Sequence, residues 1–352
     1  MGVVTINIAA MRTVTFRRCV VLSAVAGVLL GSATVCSAQI VETVGTRAMG
    51  MGGAFVAVAS DSSATWWNPA GLATGPFSDV GVARAVTDPK EDLPAGRDRA
   101  SWFAATVPAV GFSYYRLRIT DIRPSGPTAE PGANREDTRA GVSLRSFSAT
   151  ELGLTVVQSV LPGVHAGVTL KYVRGRLRSS AASEAGTASV SELLDRGEAL
   201  GGGDADSRFD LNAGLLGVAG PIRVGVVMRN VRAPTFAGGG FTLPRQTRVG
   251  AALDLENAGG PPLVFALDGD ARRYATTSGD RRVVAAGAEQ WLWARRIGIR
   301  GGGRFNTVGA KERVATAGAS IAVRAGLYLE GQLVRGRASA ERGWGAGARV
   351  TF

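Results

Sequence analysis

The sequence predicts an all-β fold: a closed antiparallel transmembrane β-barrel of about fourteen strands, with a small N-terminal hatch inside its lumen. Three observations carry this. Apolar and polar residues alternate with period two through most of the chain, as in Ile297, Ile299, Gly301, Gly303 and Phe305 against Arg296, Gly298, Arg300, Gly302 and Arg304. A helix would scatter those arginines over every face, whereas a strand separates them cleanly. Between the alternating segments, tight turns and longer polar connections take turns, which is the pattern of a barrel with short turns at one membrane face and long loops at the other. The last segment, Trp344 to Phe352, is itself amphipathic and ends in an aromatic residue.

The composition permits this and excludes other classes. With 45% hydrophobic residues and a mean hydropathy of +0.12 the chain has enough apolar surface to fold. The only lysines among the 40 basic residues are Lys90, Lys171 and Lys311, and the rest are arginine. A net charge of +12 raises nucleic acid as a partner, but the basic residues are spread along the chain with no run that forms a binding patch, so nucleic acid is dropped.

Residues 1–38 read as an export signal. Arg12, Arg17 and Arg18 precede an apolar run from Val20 to Leu30, and small residues lead to Cys36-Ser37-Ala38, placing cleavage after Ala38. The apolar run is well short of the roughly 20 residues that span a bilayer as a helix. Both cysteines, Cys19 and Cys36, fall in the removed part, which leaves the mature chain without thiol chemistry.

Residues 39–76 read as the hatch. The stretch from Gly45 to Leu72, GTRAMGMGGAFVAVASDSSATWWNPAGL, invites a nucleotide-loop reading, but Phe55 stands where the third glycine of G-x-G-x-x-G belongs. Gly50, Gly52 and Gly53 permit close backbone approach. Phe55, Val56 and Val58 can pack inside a pore, Asp61 or Ser62 can cap a short helix, and Asn68-Pro69 forces an extended or turned exit.

Residues 77–352 read as the barrel. Candidate strands fall near 77–86, 99–107, 109–118, 142–160, 164–177, 207–218, 222–231, 245–256, 263–271, 281–291, 295–304, 312–322, 326–335 and 343–352. Tight turns at Pro108, Leu161-Pro162-Gly163 and Ala219-Gly220-Pro221 alternate with polar connections, the longest being 119–141 and 178–206. In the second of these, Ser189-x-x-Glu192 before Leu193-Leu194 has the form of a capping box for one short helix. A secreted sandwich or propeller also alternates; the difference lies in whether the polar face lines a wet interior.

By strand parity the interior carries Arg116, Arg118, Lys171, Arg223, Arg229, Arg248, Arg300, Arg304 and Arg349, with Asp210, Asp254, Asp268, Asp270 and Glu330. The arginine excess suits a ligand with a carboxylate head group, and Arg116, Arg118, Arg223, Arg229, Arg248, Arg300 and Arg304 are the lumen candidates. The other reading of the same residues is a set of mutually neutralising ladders that support a narrow lumen. Trp66 and Trp67 are candidates for hatch packing, and Trp291, Trp293 and Trp344 for interface girdles. The only histidine, His165, falls at a turn-to-strand junction, and no G-x-S-x-G is present, so an enzyme is not expected, nor any cofactor or metal.

The stretch GTRAMGMGGAFVAVASDSSATWWNPAGLA resembles the N-terminal region of the FadL-like outer-membrane family, which includes long-chain fatty acid and aromatic hydrocarbon transporters and a PorV/PorQ-like branch. Asn68, Pro69 and Ala70 match its hatch motif, and LPRQTRVGAAL (243–253) looks like a barrel strand of that branch. The resemblance implies a bacterial outer-membrane channel for hydrophobic small molecules, in which an apolar ligand leaves sideways through the wall when the hatch shifts. Gly50, Gly52, Gly53, Asn68, Pro69, Ala70 and Gly71 then form the hatch or gate. Its implied partners are the hydrophobic ligand and outer-membrane lipid, and Phe352 resembles the terminal signal read by the barrel-assembly machinery. The alternative within the family is a non-transport barrel subunit associated with protein secretion.

Overall fold

A computed structural model describes residues 43–88, 95–128, 139–182, 188–276, 279–337 and 342–352, all within one compact unit, Ser37–Phe352. The export segment lies outside the described residues, as do residues 39–42 of the hatch.

Fourteen strands form the wall: β1 (Asp79–Asp88), β2 (Ala95–Val107), β3 (Val110–Thr128), β4 (Arg139–Leu161), β5 (Val164–Ala182), β6 (Ala205–Ala219), β7 (Ile222–Arg229), β8 (Gln246–Asp254), β9 (Leu263–Asp270), β10 (Val283–Leu292), β11 (Ile297–Asn306), β12 (Arg313–Arg324), β13 (Leu327–Gly336) and β14 (Arg342–Thr351). Each pairs antiparallel with its chain neighbour. β14 pairs back onto β1, from Asp79↔Thr351 to Asp88↔Arg342, so the sheet has no free edge.

The two faces settle the question that alternation leaves open. Outward positions are apolar and exposed all round the wall, including Phe112, Leu154, Leu170, Val224, Leu267, Ile299, Ile321 and Leu329. Inward positions are charged and buried, including Lys171, Asp210, Arg248, Asp268, Glu289 and Arg300. A sandwich has the reverse arrangement, so the exposed apolar band is the lipid-facing surface of a transmembrane barrel. No helix among the described residues is long and apolar enough to cross a membrane.

The tight turns fall where expected. Gly163, at φ +73°, closes β4 onto β5 with Val218 O so near that an added Cβ would lie 2.3 Å from it. The long connections are shorter than the sequence suggests. The 119–141 stretch continues as strand to Thr128 and resumes at Arg139. Its polar composition does not end the strands because the ladder pairs backbone groups whatever the side chains, as in Asp121↔Arg145 and Arg123↔Ser143. The helix expected in 178–206 is present as α3 (Val190–Ala199), the third α-helix among the described residues, with the Ser189 hydroxyl accepting a hydrogen bond from Glu192 N at 3.2 Å. Its Leu193 and Leu194 pack on Ile122, Val142 and Leu144.

Candidate functional site

The hatch precedes β1 and comprises α1 (Thr46–Gly50), α2 (Ala64–Trp67) and a 3-10 turn, Pro69–Thr74. Asp61 leads into α2, its Oδ1 accepting from the Ser63 N–H at 3.0 Å and the Ser63 hydroxyl at 2.5 Å. The helix stops at Asn68, which is extended (φ −158°, ψ 102°) because Pro69 follows, and Pro69 then starts the 3-10 turn without needing a donor. Asn68 is fully buried and all its polar atoms are used. Nδ2 donates to Val56 O (2.8 Å) and to Leu215 O of β6 (3.1 Å), and Oδ1 accepts from Ala70 N (3.2 Å). The Asn-Pro-Ala motif is therefore a clasp that joins two hatch segments to the wall.

A track of inward-facing glycines receives the hatch backbone. A Cβ at Gly318 would lie 3.1 Å from Gly50 Cα, at Gly302 2.3 Å from Met51 C, at Gly287 2.3 Å from Met51 O, at Gly225 2.7 Å from Val56 O, at Gly214 2.0 Å from Asn68 Oδ1 and at Gly167 2.5 Å from Ala70 N. These contacts follow the inner wall from β12 to β5. On the hatch side, Gly52, at φ +72°, sits so close to Gly303 that a Cβ would meet its amide at 2.6 Å.

Buried charge ties the hatch to the wall. The Arg47 guanidinium grips Glu289 of β10 in a fork, with Nε 2.9 Å from both carboxylate oxygens and Nη2 2.5 Å from Oε2. It also donates to Ser60 Oγ at 3.0 Å. Burial works against the Arg47 charge, but Glu289 and Asp61 outweigh it and hold the guanidinium more firmly protonated than in water. Arg300 reaches the same Glu289 at 3.4 Å and donates to Ser320, whose hydroxyl donates to Glu330 at 3.0 Å. Glu330 accepts from Thr46 Oγ1 at 2.6 Å and pairs with Arg349 at 3.1 Å; Arg349 also reaches Asp79, which accepts from Ser62 N at 2.7 Å. On β9, the strand beside β10, one carboxylate oxygen of Asp268 accepts both Phe55 N (2.8 Å) and Val56 N (2.9 Å).

The interior between hatch and loops is apolar and packed. Trp67 donates to Val44 O at 2.9 Å, edges onto Phe55, and lies under Arg229 at 5.1 Å; Trp66 packs tilted against Tyr115 at 5.1 Å, and the Tyr115 hydroxyl is 2.6 Å from Thr65 Oγ1. The β7–β8 connection folds inward as a ribbon, Thr235–Phe236 with Phe241–Thr242. Its Phe241 stacks on Phe147 at 3.6 Å and Phe236 lies over Gly175. Trp66, Tyr115, Leu117, Phe147, Val173, Phe236 and Phe241 belong to one continuous buried cluster, so an apolar column links this lid to the hatch. A cavity of about 50 Å³ at the loop end, lined by residues such as Arg304, Asn306 and Glu312, has room for a few waters.

The lumen candidates divide. Arg223 pairs with Asp254 at 2.9 Å, Arg248 with Asp270 at 2.9 Å and Arg300 with Glu289, which favours neutralising ladders over a free cluster awaiting an anion. Arg229 sits over the hatch tryptophans and Arg304 borders the loop-end cavity. Arg116 and Arg118 do not face the lumen. Their neighbours Tyr115 and Leu117 point in, buried against the hatch, and the two arginines point out. At this level the interior is apolar and the outer face has left the apolar band, so polarity no longer reports side. Trp291 also differs from its girdle assignment: it is buried on the inner face and packs edge-on against Tyr328 at 5.6 Å, whereas Trp293 and Trp344 are exposed. His165 lies in the β4–β5 turn region beside Ser159 Oγ at 2.9 Å.

Arg47, Glu289 and the glycine track escaped the sequence reading. The signal was present: Arg47 is the only charge between Glu42 and Asp61, and Glu289 shares parity with Val283, Ala285 and Gly287.

A family model described as F plasmid transfer operon, TraF, protein matches residues 46–270, more than half of the chain. No curated protein matches by sequence. Among solved structures, the Ralstonia pickettii toluene transporter TbuX is similar over 88% of this chain and 99% of its own, with a TM-score of 0.59 at 15% identity. The Pseudomonas putida toluene transporter TodX covers 90% and 98% with a TM-score of 0.54 at 13% identity, and a Pseudomonas aeruginosa FadL homologue 90% and 99% with 0.57 at 10%. The fold is that of the FadL-like outer-membrane transport barrels.

Proposed function

The chain belongs to the family described as F plasmid transfer operon, TraF, protein, within the FadL-like barrel fold, and from that premise we propose that it is an outer-membrane channel for hydrophobic small molecules of fatty acid or aromatic hydrocarbon type, with a hatch-gated lateral exit. The export segment 1–38 delivers it, residues 39–76 are the gate, and Phe352 marks the strand read during assembly.

The observation that carries this reading is the hatch itself: small and apolar, seated on glycines, held by a few discrete polar contacts, and continuous with an aromatic column that runs up to the lid. Such a plug moves as a unit when a handful of hydrogen bonds exchange partners. Passage straight through to water would cost an apolar ligand about 0.8 kcal/mol per methylene, and release into the bilayer avoids that cost. The lumen arginines act in this scheme as partners of wall and hatch carboxylates, so a ligand carboxylate would compete for the same fork that Arg47 makes with Glu289.

Solvent extraction and mass spectrometry of the detergent-purified protein test the proposal, with deletion of Asn68-Pro69-Ala70 as comparison. The proposal requires a lipid-like or aromatic ligand in the intact protein. Recovery of none, together with unchanged uptake by cells lacking the gene, refutes it. The packed apolar interior favours one second reading, a non-transport barrel subunit associated with protein secretion. Co-purification with secretion components and no bound ligand is its signature.

A further inference from the structure

The outer face of β3–β5 carries a charge pattern that channel gating does not use. In the register of the wall, Phe103, Tyr114, Leu152, Tyr172 and Phe209 fall on one cross-strand row, an aromatic-rich girdle of the kind that marks the membrane interface. The next two rows toward the long loops are Arg116–Thr150–Arg174 and Arg118–Ser148–Arg176. In each, two arginines flank a hydroxyl across three strands, about 10 Å apart at strand spacing. Arg178, one row further on, donates to Ser148 Oγ at 3.3 Å.

These arginines have no carboxylate among the described residues. Their neighbours on the same face of β2 show what pairing looks like here. Arg97 is held by Asp88 at 2.5 Å and by Asp195 of α3 at 2.6 Å, and Arg99 by Glu198 of α3 at 2.7 Å. The helix thus neutralises β2 and leaves the β3–β5 rows open. Four like charges gathered on a lipid-side surface repel one another unless an anion joins them, and paired guanidinium forks around a hydroxyl donor match the oxygens of a phosphate.

We propose that the outer face of β3–β5 is a binding site for the phosphate-bearing headgroup of a membrane lipid, seated on the Arg116–Thr150–Arg174 and Arg118–Ser148–Arg176 rows above the aromatic girdle. The acyl chains of such a lipid run along Tyr114, Leu152, Leu170 and Tyr172. The inference takes from the proposed function only the outer-membrane setting, and it is independent of what passes through the lumen.

The test is native mass spectrometry of the full chain in detergent, titrated with a glucosamine-disaccharide lipid carrying two phosphomonoesters. The same lipid without phosphates, and inorganic phosphate alone, are the comparison probes. Wild type is expected to retain the phosphorylated lipid, and affinity to fall about fivefold for each arginine removed in R116Q/R174Q and in the fourfold variant that adds R118Q and R176Q. R313Q/R335Q, on β12 and β13, is expected to bind as wild type. Heat-modifiable gel migration reports folding, and if the fourfold variant fails it, the double variant decides. Equal binding by R116Q/R174Q and wild type overturns the proposal, as does equal binding of the dephosphorylated lipid. Displacement by inorganic phosphate at equal concentration identifies a free-phosphate site instead and also overturns it. A negative result here leaves the recovery of an apolar ligand untouched, and failure to recover that ligand leaves this titration untouched.

Discussion

Replacing Gly214 by alanine places one methyl group where the hatch clasp must sit. The new Cβ would lie 2.0 Å from Asn68 Oδ1 and 3.1 Å from Pro69 Cδ, and Asn68 cannot turn away without releasing three hydrogen bonds, to Val56 O, Leu215 O and Ala70 N. At about 1 kcal/mol each for buried bonds whose partners find no water, the hatch loses roughly 3 kcal/mol of seating energy. That corresponds to exchange of hatch amides on the order of a hundredfold faster. Hydrogen exchange on the detergent-purified protein measures it, with residues 43–78 losing protection and the amides of β10–β14 keeping theirs. Gly269→Ala is the matched control, since a Cβ there meets nothing within 4 Å. Unchanged hatch protection in G214A, or equal loss in G269A, refutes the clasp.

Three further outcomes follow from the same geometry. Asp268→Ala strands the Phe55 and Val56 amides, so it should cost about 2–4 kcal/mol and open residues 51–60 to limited proteolysis while barrel migration stays heat-modifiable. Arg47→Met leaves Glu289 buried with only Arg300 at 3.4 Å, which predicts a loss of about 3 kcal/mol, read as a lower thermal midpoint for hatch release. Phe236→Ala removes the lid side chain that lies over Gly175 and against Phe147, a loss of about 3 kcal/mol that should raise ligand uptake or conductance in planar bilayers without unfolding the wall.

The wall was legible because lipid imposes a strict alternation: Ile297 to Phe305 and Leu327 to Leu333 must show an apolar face outward over the whole membrane thickness. Legibility failed where that constraint ends. Above the apolar band, β3 and β4 keep pairing through Asp121, Arg123 and Ser143 with nothing in the side chains to say so, and Arg116 and Arg118 keep the outward parity of Phe112 and Tyr114 while the interior is filled by the apolar Tyr115 and Leu117. Asn68-Pro69-Ala70 could be read as a turn, but its clasp depends on Gly214 and Leu215, nearly 150 residues away. Arg47 and Glu289 are further apart still, and only closure of the barrel brings them together.

The central claim, a hatch that must move for a hydrophobic molecule to pass, is tested most directly by locking it. A Cβ built at Gly111 lies 3.1 Å from Thr65 Cγ2, the reach of a disulfide, and the sequence has no cysteine after Cys36 to interfere. Uptake of a radiolabelled long-chain fatty acid and of toluene is measured in cells lacking the gene and carrying T65C/G111C. The account predicts uptake abolished when the pair is oxidised and restored by a membrane-permeant reductant. Equal uptake in the oxidised and reduced states, with the crosslink confirmed, contradicts it.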